Sequence, residues 1–381
     1  MTRNRKLKVN TLLVILCITL PFFRGLAQAE DQSNGVYRDI YLQKSWQKLD
    51  ENKDGLFIEK ENSGSWKHLN YLDVNKDNGI SKEEFSETKI PYLNTEGERK
   101  LNVLYKETKE ENLYLDIYYP KNRTAGEKLP VVIYTHGGGW AAGSRHGASN
   151  ASFKTVHTAL LEQGFCVVSV SYRLWKKKGT TAMRDCVIDS KDGLRYLSKN
   201  SEELGIDKNR FYSFGDSAGG QIAQMLLLSS TDSLKGDPSL AAYTYNMVAG
   251  VSWYGPCDFE KTSLFNDDDR AGFGDRFGPR ILLPDTKPKD KLVLYREMSP
   301  INYLTNNSAP LLMIQGDRDT TIPVKHAYYM EEKAKKIKAP VTIIIVENAG
   351  HNWRKVGEDI NPTRTEIEKI TVDYFVSHKN F

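Results

Sequence analysis

Cysteine is scarce in this chain: four in 381 residues, at positions 17, 166, 186 and 257. That is too few for the disulfide framework of a small secreted scaffold, and leaves room for one bridge at most among Cys166, Cys186 and Cys257. None has a neighbour that suggests thiol chemistry. Cys166, inside an apolar run, reads as a buried small hydrophobe. Long apolar stretches are equally rare. Thr11 to Phe23 is too short to span a bilayer comfortably. It lies between a basic start (Arg3, Arg5, Lys6, Lys8) and the small-x-small sequence Ala27-Gln28-Ala29, the layout of a secretory signal peptide over residues 1–29. Cys17 lacks the small preceding residue of a lipoprotein. The expectation is a secreted or periplasmic protein without stable membrane insertion. Also missing is a Lys/Arg-dense patch interleaved with aromatics. The formal charge of +4 falls to −1 once the five basic residues of the leader are removed, so nucleic acid is not an expected partner. No motif specifies an oligomeric state.

What is present begins with an acidic module over residues 36–92. Asp50, Asn52, Asp54, Gly55 and Glu61 fall at positions 1, 3, 5, 6 and 12 of an EF-hand loop, with the Leu56 carbonyl at position 7. Oxygen donors at this spacing can wrap a hard cation, and Gly55 permits the sharp turn. A second loop supplies Asp73, Asn75, Asp77, the Gly79 carbonyl, Ser81 and Glu84. Asn78 replaces its glycine, since asparagine tolerates the left-handed region. Ile58 at position 9 cannot hold a water, whereas Ser81 can. Two such loops in tandem predict a compact EF-hand pair with structural calcium. Trp46, Phe57, Trp66 and Phe85 are its expected core.

Beyond a polar stretch, short branched runs alternate with amphipathic spans. Strands are expected at 101–105, 113–118, 131–135, 165–171, 210–214, 247–253, 311–315 and 342–346. Helices are expected at 152–163, 182–200, 218–229, 324–338 and 362–378. This alternation predicts an α/β domain with helices on both faces of the sheet. No large lid insertion is evident between the strands.

Three segments carry chemistry. Gly215-Asp216-Ser217-Ala218-Gly219-Gly220 follows an apolar run, where a strand should turn sharply into a helix and lift the Ser217 hydroxyl clear of both. His136-Gly137-Gly138-Gly139-Trp140 ends an earlier strand. Its bare glycine amides at Gly138 and Gly139, with that of Ala218, are suited to meet the oxyanion of a tetrahedral intermediate. A serine needs a base and a group to orient that base. Triads on such sheets run serine, acid, histidine along the chain, which leaves Asp317 and Asp319 as candidate acids and His351 as base. His146 is not excluded by spacing. His136 is expected to order the oxyanion loop, Asp216 to pack at the elbow, and Trp140 and Trp175 either to line the substrate site or to pack internally.

With HGGGW (136–140), SYRL (171–174), GDSAGG (215–220), WYGPCDF (253–259), LYREMSPINYL (294–304), GDRDTTIP (316–323) and AGH (349–351), the chain resembles secreted α/β-hydrolase esterases. These are the relatives of hormone-sensitive lipase and the bacterial feruloyl and acetyl-xylan esterase-like carboxylesterases. The resemblance implies an eight-stranded, mostly parallel sheet in a catalytic domain over 101–381, serine ester hydrolysis, and Asp319 as the triad acid. Gln315 stands where such sequences often have histidine. Trp175-Lys176-Lys177-Lys178 and Asn352-Trp353 also depart from the pattern, at the expected pocket rim. With no large lid insertion and no extended apolar patch, small acyl groups are favoured over long-chain triglycerides, and the expected activity is hydrolysis of short-chain esters, including acetyl or feruloyl groups on polysaccharide. A serine exopeptidase of the same fold and a non-catalytic calcium-dependent binding protein are the alternatives.

Overall fold

The computed structural model describes residues 42–86, 90–124, 126–265, 277–283 and 286–379. The leader at 1–29 and the first residues of the acidic module lie outside them. The chain divides into two compact units, Met1–Ile90 and Pro91–Phe381. The first contains helix α1 (42–49), strand β1 (Leu56–Phe57), helix α2 (Ser63–Leu69), strand β2 (Ile80–Ser81) and helix α3 (Lys82–Ser86). β1 and β2 pair antiparallel, and Phe57 and Ile80 bury completely between them. Trp46 and Phe85 join the same apolar cluster and Trp66 packs on its edge, as the sequence predicts.

The second unit is built on one sheet. Its strands are β3 (Arg99–Glu107), β4 (Asn112–Tyr118), β5 (Leu129–Thr135), β6 (Cys166–Val170), β7 (Ile206–Asp216), β8 (Met247–Trp253), β9 (Leu311–Gly316) and β10 (Val341–Val346). They lie in the order β10-β9-β8-β7-β5-β6-β4-β3. β4 runs antiparallel to both its neighbours and the pairings from β6 to β10 are parallel. The expected eight-stranded, mostly parallel sheet is therefore present. The central strands read as continuous apolar runs because both faces are covered. Val131, Ile133, Val168 and Val170 face one cluster, closed by α5 (Met183–Lys199) and α7 (Ala218–Leu228). Val132, Tyr134, Val167, Tyr212 and Phe214 face the other, closed by α4 (Ala151–Glu162) and the final helix, α11 (Arg364–Ser377). The alternation follows from the two-residue period of a strand.

α6 (Ser201–Leu204), α8 (Gly278–Ile281), α9 (Lys291–Met298) and α10 (Lys325–Ile337) complete the set among the described residues. Two of these lie in a single connection between strands. The β8–β9 connection, residues 254–310, carries α8 and α9. Both are too short for helical periodicity to emerge from the sequence. Cys166, Cys186 and Cys257 are all buried and free, so the one bridge that their number allows is not formed.

Candidate active site

The parallel strands deliver the chemistry to their carboxyl ends. β7 ends at Asp216, and Ser217 adopts φ 52°, ψ −118° before α7 begins. A side-chain-bearing residue in that region costs on the order of 1–3 kcal/mol, which surrounding contacts must over-determine. Two glycines make the turn possible through close approach. A Cβ on Gly215 would collide with the Gly219 carbonyl, and one on Gly219 with the Thr135 carbonyl at the end of β5. Ser217 N–H donates to the Trp253 carbonyl at 2.9 Å, tying the elbow to β8.

The Ser217 hydroxyl lies 3.0 Å from His351 Nε2. His351 Nδ1 lies 2.7 Å from Asp319 Oδ2. Asp319 is almost wholly buried, and its other oxygen accepts the amides of Thr321 and Ile322 at 2.8 and 2.9 Å. Asp317 is turned elsewhere: its Oδ1 accepts the Ala349 amide at 3.3 Å. The serine, the histidine and the second of the two candidate aspartates thus form one hydrogen-bonded chain.

The structure also removes His146 from consideration. It is buried edge-on against Tyr92, and burial pushes its pKa down to about 3. Gln315 has a part that its departure from pattern did not suggest. Its side-chain amide donates to Asp319 Oδ2 at 3.2 Å and to the Ile322 carbonyl at 2.8 Å. Tyr254 was missed altogether. Held at φ 40°, it packs edge-on against His351, with ring centroids 4.8 Å apart, and no spacing rule marks such a residue. Trp353, expected at a pocket rim, is instead buried against Trp253 and Tyr254, where it backs the His351 turn.

The loop at 136–140, the candidate oxyanion loop, is fastened at several points. Gly138, Gly139 and Trp140 all have positive φ, at 114°, 60° and 59°. His136 Nδ1–H donates to the Gly137 carbonyl at 2.7 Å. Its ring stacks on Tyr172 at 4.2 Å, and burial lowers its pKa to about 4, which keeps it neutral. The Gly138 carbonyl accepts the Ala142 amide at 3.0 Å. Asp216 Oδ1 accepts the Gly137 amide at 2.8 Å and the Tyr134 hydroxyl at 2.9 Å. Burial drives that carboxyl up to about 6. In a trans peptide the carbonyl and the amide point in opposite directions, so bonding the carbonyls of Gly137 and Gly138 aims the N–H groups of Gly138 and Gly139 the other way. Those two amides, with that of Ala218, have no acceptor among the described residues. Trp140 is buried, with its indole N–H on Gln221 at 3.1 Å and its ring edge-on to Phe259. It is a packing residue and does not line a pocket. Trp175 is half-buried, its amide donating to the Trp140 carbonyl at 2.7 Å.

In the first unit, both acidic loops wind around their own carboxylates. Asp50 accepts the amides of Asp54 and Gly55 at 3.1 Å each, and Glu61 Oε2 accepts Ile58 N–H at 2.9 Å. Glu84 accepts Val74 N–H at 3.0 Å and Ser81 N–H at 2.9 Å. Lys53, Gly55, Lys76 and Asn78 take positive φ, and in each loop an asparagine amide donates to an aspartate, Asn52 to Asp54 at 2.9 Å and Asn75 to Asp77 at 3.0 Å. One oxygen, Asp73 Oδ1, is buried without a hydrogen-bond partner among the described residues. Among those residues no three His, Cys, Asp or Glu side chains converge closely enough to hold a metal. That set leaves out the Asn52 and Ser81 side chains and the Leu56 and Gly79 carbonyls.

The sheet, with a serine elbow, a histidine and a buried acid gathered at its carboxyl edge, is that of an α/β-hydrolase. Comparison with known proteins gives the family: residues 115–334 match BD-FAE, and the chain belongs to that family. The match takes in the oxyanion loop, Ser217 and Asp319 and ends before His351. The chain is 29% identical over 245 residues to esterase LipC of Mycobacterium tuberculosis, covering 63% of this chain and 56% of that protein. It spans little more than half the length of the first curated relatives it matches. Among solved structures it is similar to a truncated carbohydrate esterase from gut microbiota (TM-score 0.61, 21% identity, 77% of this chain and all of that one). It is similar also to Thermogutta terrifontis esterase 2 phosphonylated by sarin (TM-score 0.59, 21% identity, 76% and 96%). At that identity the structural likeness speaks for the fold.

Proposed function

We propose that this chain is a serine carboxylesterase that cleaves short-chain esters, with acetyl and feruloyl groups on polysaccharide as its substrate class. The observation that carries the reading is the unbroken hydrogen-bond chain from Asp319 through His351 to the strained Ser217. In this scheme Ser217 Oγ attacks the ester carbonyl carbon while its proton passes to His351 Nε2. Asp319 fixes the ring tautomer and stabilises the imidazolium. The amides of Gly138, Gly139 and Ala218 receive the oxyanion, each donor worth about 3 kcal/mol of barrier. Collapse of the intermediate breaks the bond to the alcohol oxygen, which leaves with the proton from His351. Water, deprotonated by the same nitrogen, then releases the acid and restores Ser217.

The relatives named as esterases support ester rather than amide cleavage. The leader-like residues 1–29 support secretion or the periplasm as the working location, where carbohydrate-linked esters would be met. The test is labelling by a fluorophosphonate. Wild type should label and Ser217→Ala should not; equal labelling of both would end the serine-esterase reading and leave the calcium-dependent binding role.

For the first unit we propose a compact EF-hand pair holding calcium for stability. Asp50, Asn52, Asp54, Leu56 and Glu61 would form one site, and Asp73, Asn75, Asp77, Gly79, Ser81 and Glu84 the other. The orphaned Asp73 oxygen and the left-handed residues of both loops support the fit. Calcium there would neutralise clustered carboxylates, and no catalytic step uses it.

A further inference from the structure

α8 brings an arginine against the oxyanion loop. Arg280 donates from Nη1 to the Gly139 carbonyl at 2.8 Å. A Cβ on Gly139 would collide with that same nitrogen. At φ 60° Gly139 also takes a backbone conformation that glycine enters without penalty, so conformation and close approach both suit glycine here. The arginine is held in turn: it lies over the Phe277 ring, and Phe277 packs edge-on against Trp140.

The carbonyl in question belongs to the peptide between Gly139 and Trp140. Rotating that peptide by half a turn would change ψ at Gly139 and φ at Trp140, releasing the tryptophan from its positive φ. A bulky residue in the left-handed region is disfavoured by roughly 1–2 kcal/mol, so the loop has an intrinsic drive to make that rotation. It would carry the Gly139 carbonyl away from Arg280 and break the hydrogen bond. The Gly137 and Gly138 carbonyls are held by His136 and Ala142, within the loop itself. The Gly139 carbonyl is held by a residue 141 positions further along the chain.

We propose that Arg280 is a positioning residue of the oxyanion loop. By pinning the Gly139–Trp140 peptide it locks ψ at Gly139 and φ at Trp140, and so fixes the exit of the loop against which the preceding Gly138–Gly139 peptide keeps its N–H toward the carbonyl oxygen of the substrate. This rests on the esterase reading above. It gives the β8–β9 connection a part in turnover.

The experiment compares wild type, Arg280→Met, Arg280→Lys and Ser217→Ala. It measures kcat and KM on p-nitrophenyl acetate, thermal midpoint, and the rate of inactivation by an uncharged phosphonate. Methionine keeps an apolar stem against Phe277 and removes the donor, whereas lysine keeps one. Arg280→Met should lower kcat about 10- to 100-fold, approaching the loss of one oxyanion donor, with KM within about twofold and the midpoint unchanged. Phosphonate inactivation should slow in parallel, because it passes through the same charged oxygen, and Arg280→Lys should recover most of the rate. The proposal is overturned if Arg280→Met turns over within about twofold of wild type, if its loss follows loss of folded protein, or if Arg280→Lys is as damaging. Wild type no more active than Ser217→Ala would sink the esterase reading and this proposal together. An active wild type indifferent to Arg280 would sink this one alone.

Discussion

Gln315 and Asp319 share more than a strand end: the Gln315 amide donates to the same carboxylate oxygen that receives His351, at 3.2 Å. With its second bond to the Ile322 carbonyl, the amide braces the acid from below the sheet edge. Gln315→Leu leaves Asp319 with one fewer donor and Ile322 O unmet. It should lower kcat about 10-fold with little change in KM, and cost about 1–3 kcal/mol of stability. Steady-state kinetics beside urea denaturation check both. An unchanged kcat would make Gln315 a passive core residue.

The two aspartates of the 317–319 segment should differ sharply. Asp319→Asn presents a donor to His351 and favours the wrong tautomer, for which a loss of about 10⁴-fold in kcat is expected. Asp317→Asn should stay within a few-fold of wild type. A reversed order of damage would move the acid assignment to Asp317.

Ser217→Ala and His351→Ala should each remove nearly all turnover. The double variant should be no worse than either single one, since triad members act as a unit. Additive losses would mean that the two side chains serve separate steps.

Asp216 yields a pH signature. Burial lifts its carboxyl from 3.8 to about 6. Between those values the unfolded chain has ionised this group while the folded one keeps its proton. Its contribution to stability is therefore fully present below 3.8 and is lost as pH rises through 6. Asp216→Asn has no charge to bury and can still accept the Gly137 amide. Relative to wild type it should gain on the order of 2–3 kcal/mol as pH rises from 4 to 7. Urea unfolding at stepped pH reads this directly; parallel curves for the two proteins would be the contrary result.

Calcium removal should act on the first unit. Trp46 and Trp66 lie in or against its core, so their fluorescence reports its melting. Chelation should lower that midpoint by the equivalent of about 3 kcal/mol, if the ion was present at about 100 times its dissociation constant. Turnover of p-nitrophenyl acetate should hold. A fall in kcat with the unit still folded would contradict a purely structural ion.

The sheet was legible because its strands are two-sided apolar runs: β8 begins and ends where the sequence predicts, and the central helices fall within a residue or two. Ser217 and His351 were legible for the same reason, since each follows a strand whose end is visible, and the elbow glycines have no other use. The choice between Asp317 and Asp319 was beyond spacing, because two residues on a turning loop point in unrelated directions. Gln315, Tyr254 and Arg280 were illegible for a different cause. Each acts through a contact with a residue distant in the chain or across a turn, and none belongs to a periodic pattern. Trp353 shows the converse: a departure from pattern beside His351 turned out to be packing.

The three buried, unpaired thiols have a consequence for how the protein can be handled. Burial raises the pKa of each, and a protonated, inaccessible sulfur neither attacks disulfides nor yields readily to oxidants. The folded chain has the same covalent structure in a reducing cytosol as in an oxidising envelope. None of these three sulfurs is held in a native disulfide that dithiothreitol in a storage buffer could reduce. The vulnerable interval comes before folding, when the same three sulfurs are exposed and any bridge they make would have to be undone before the sheet could close.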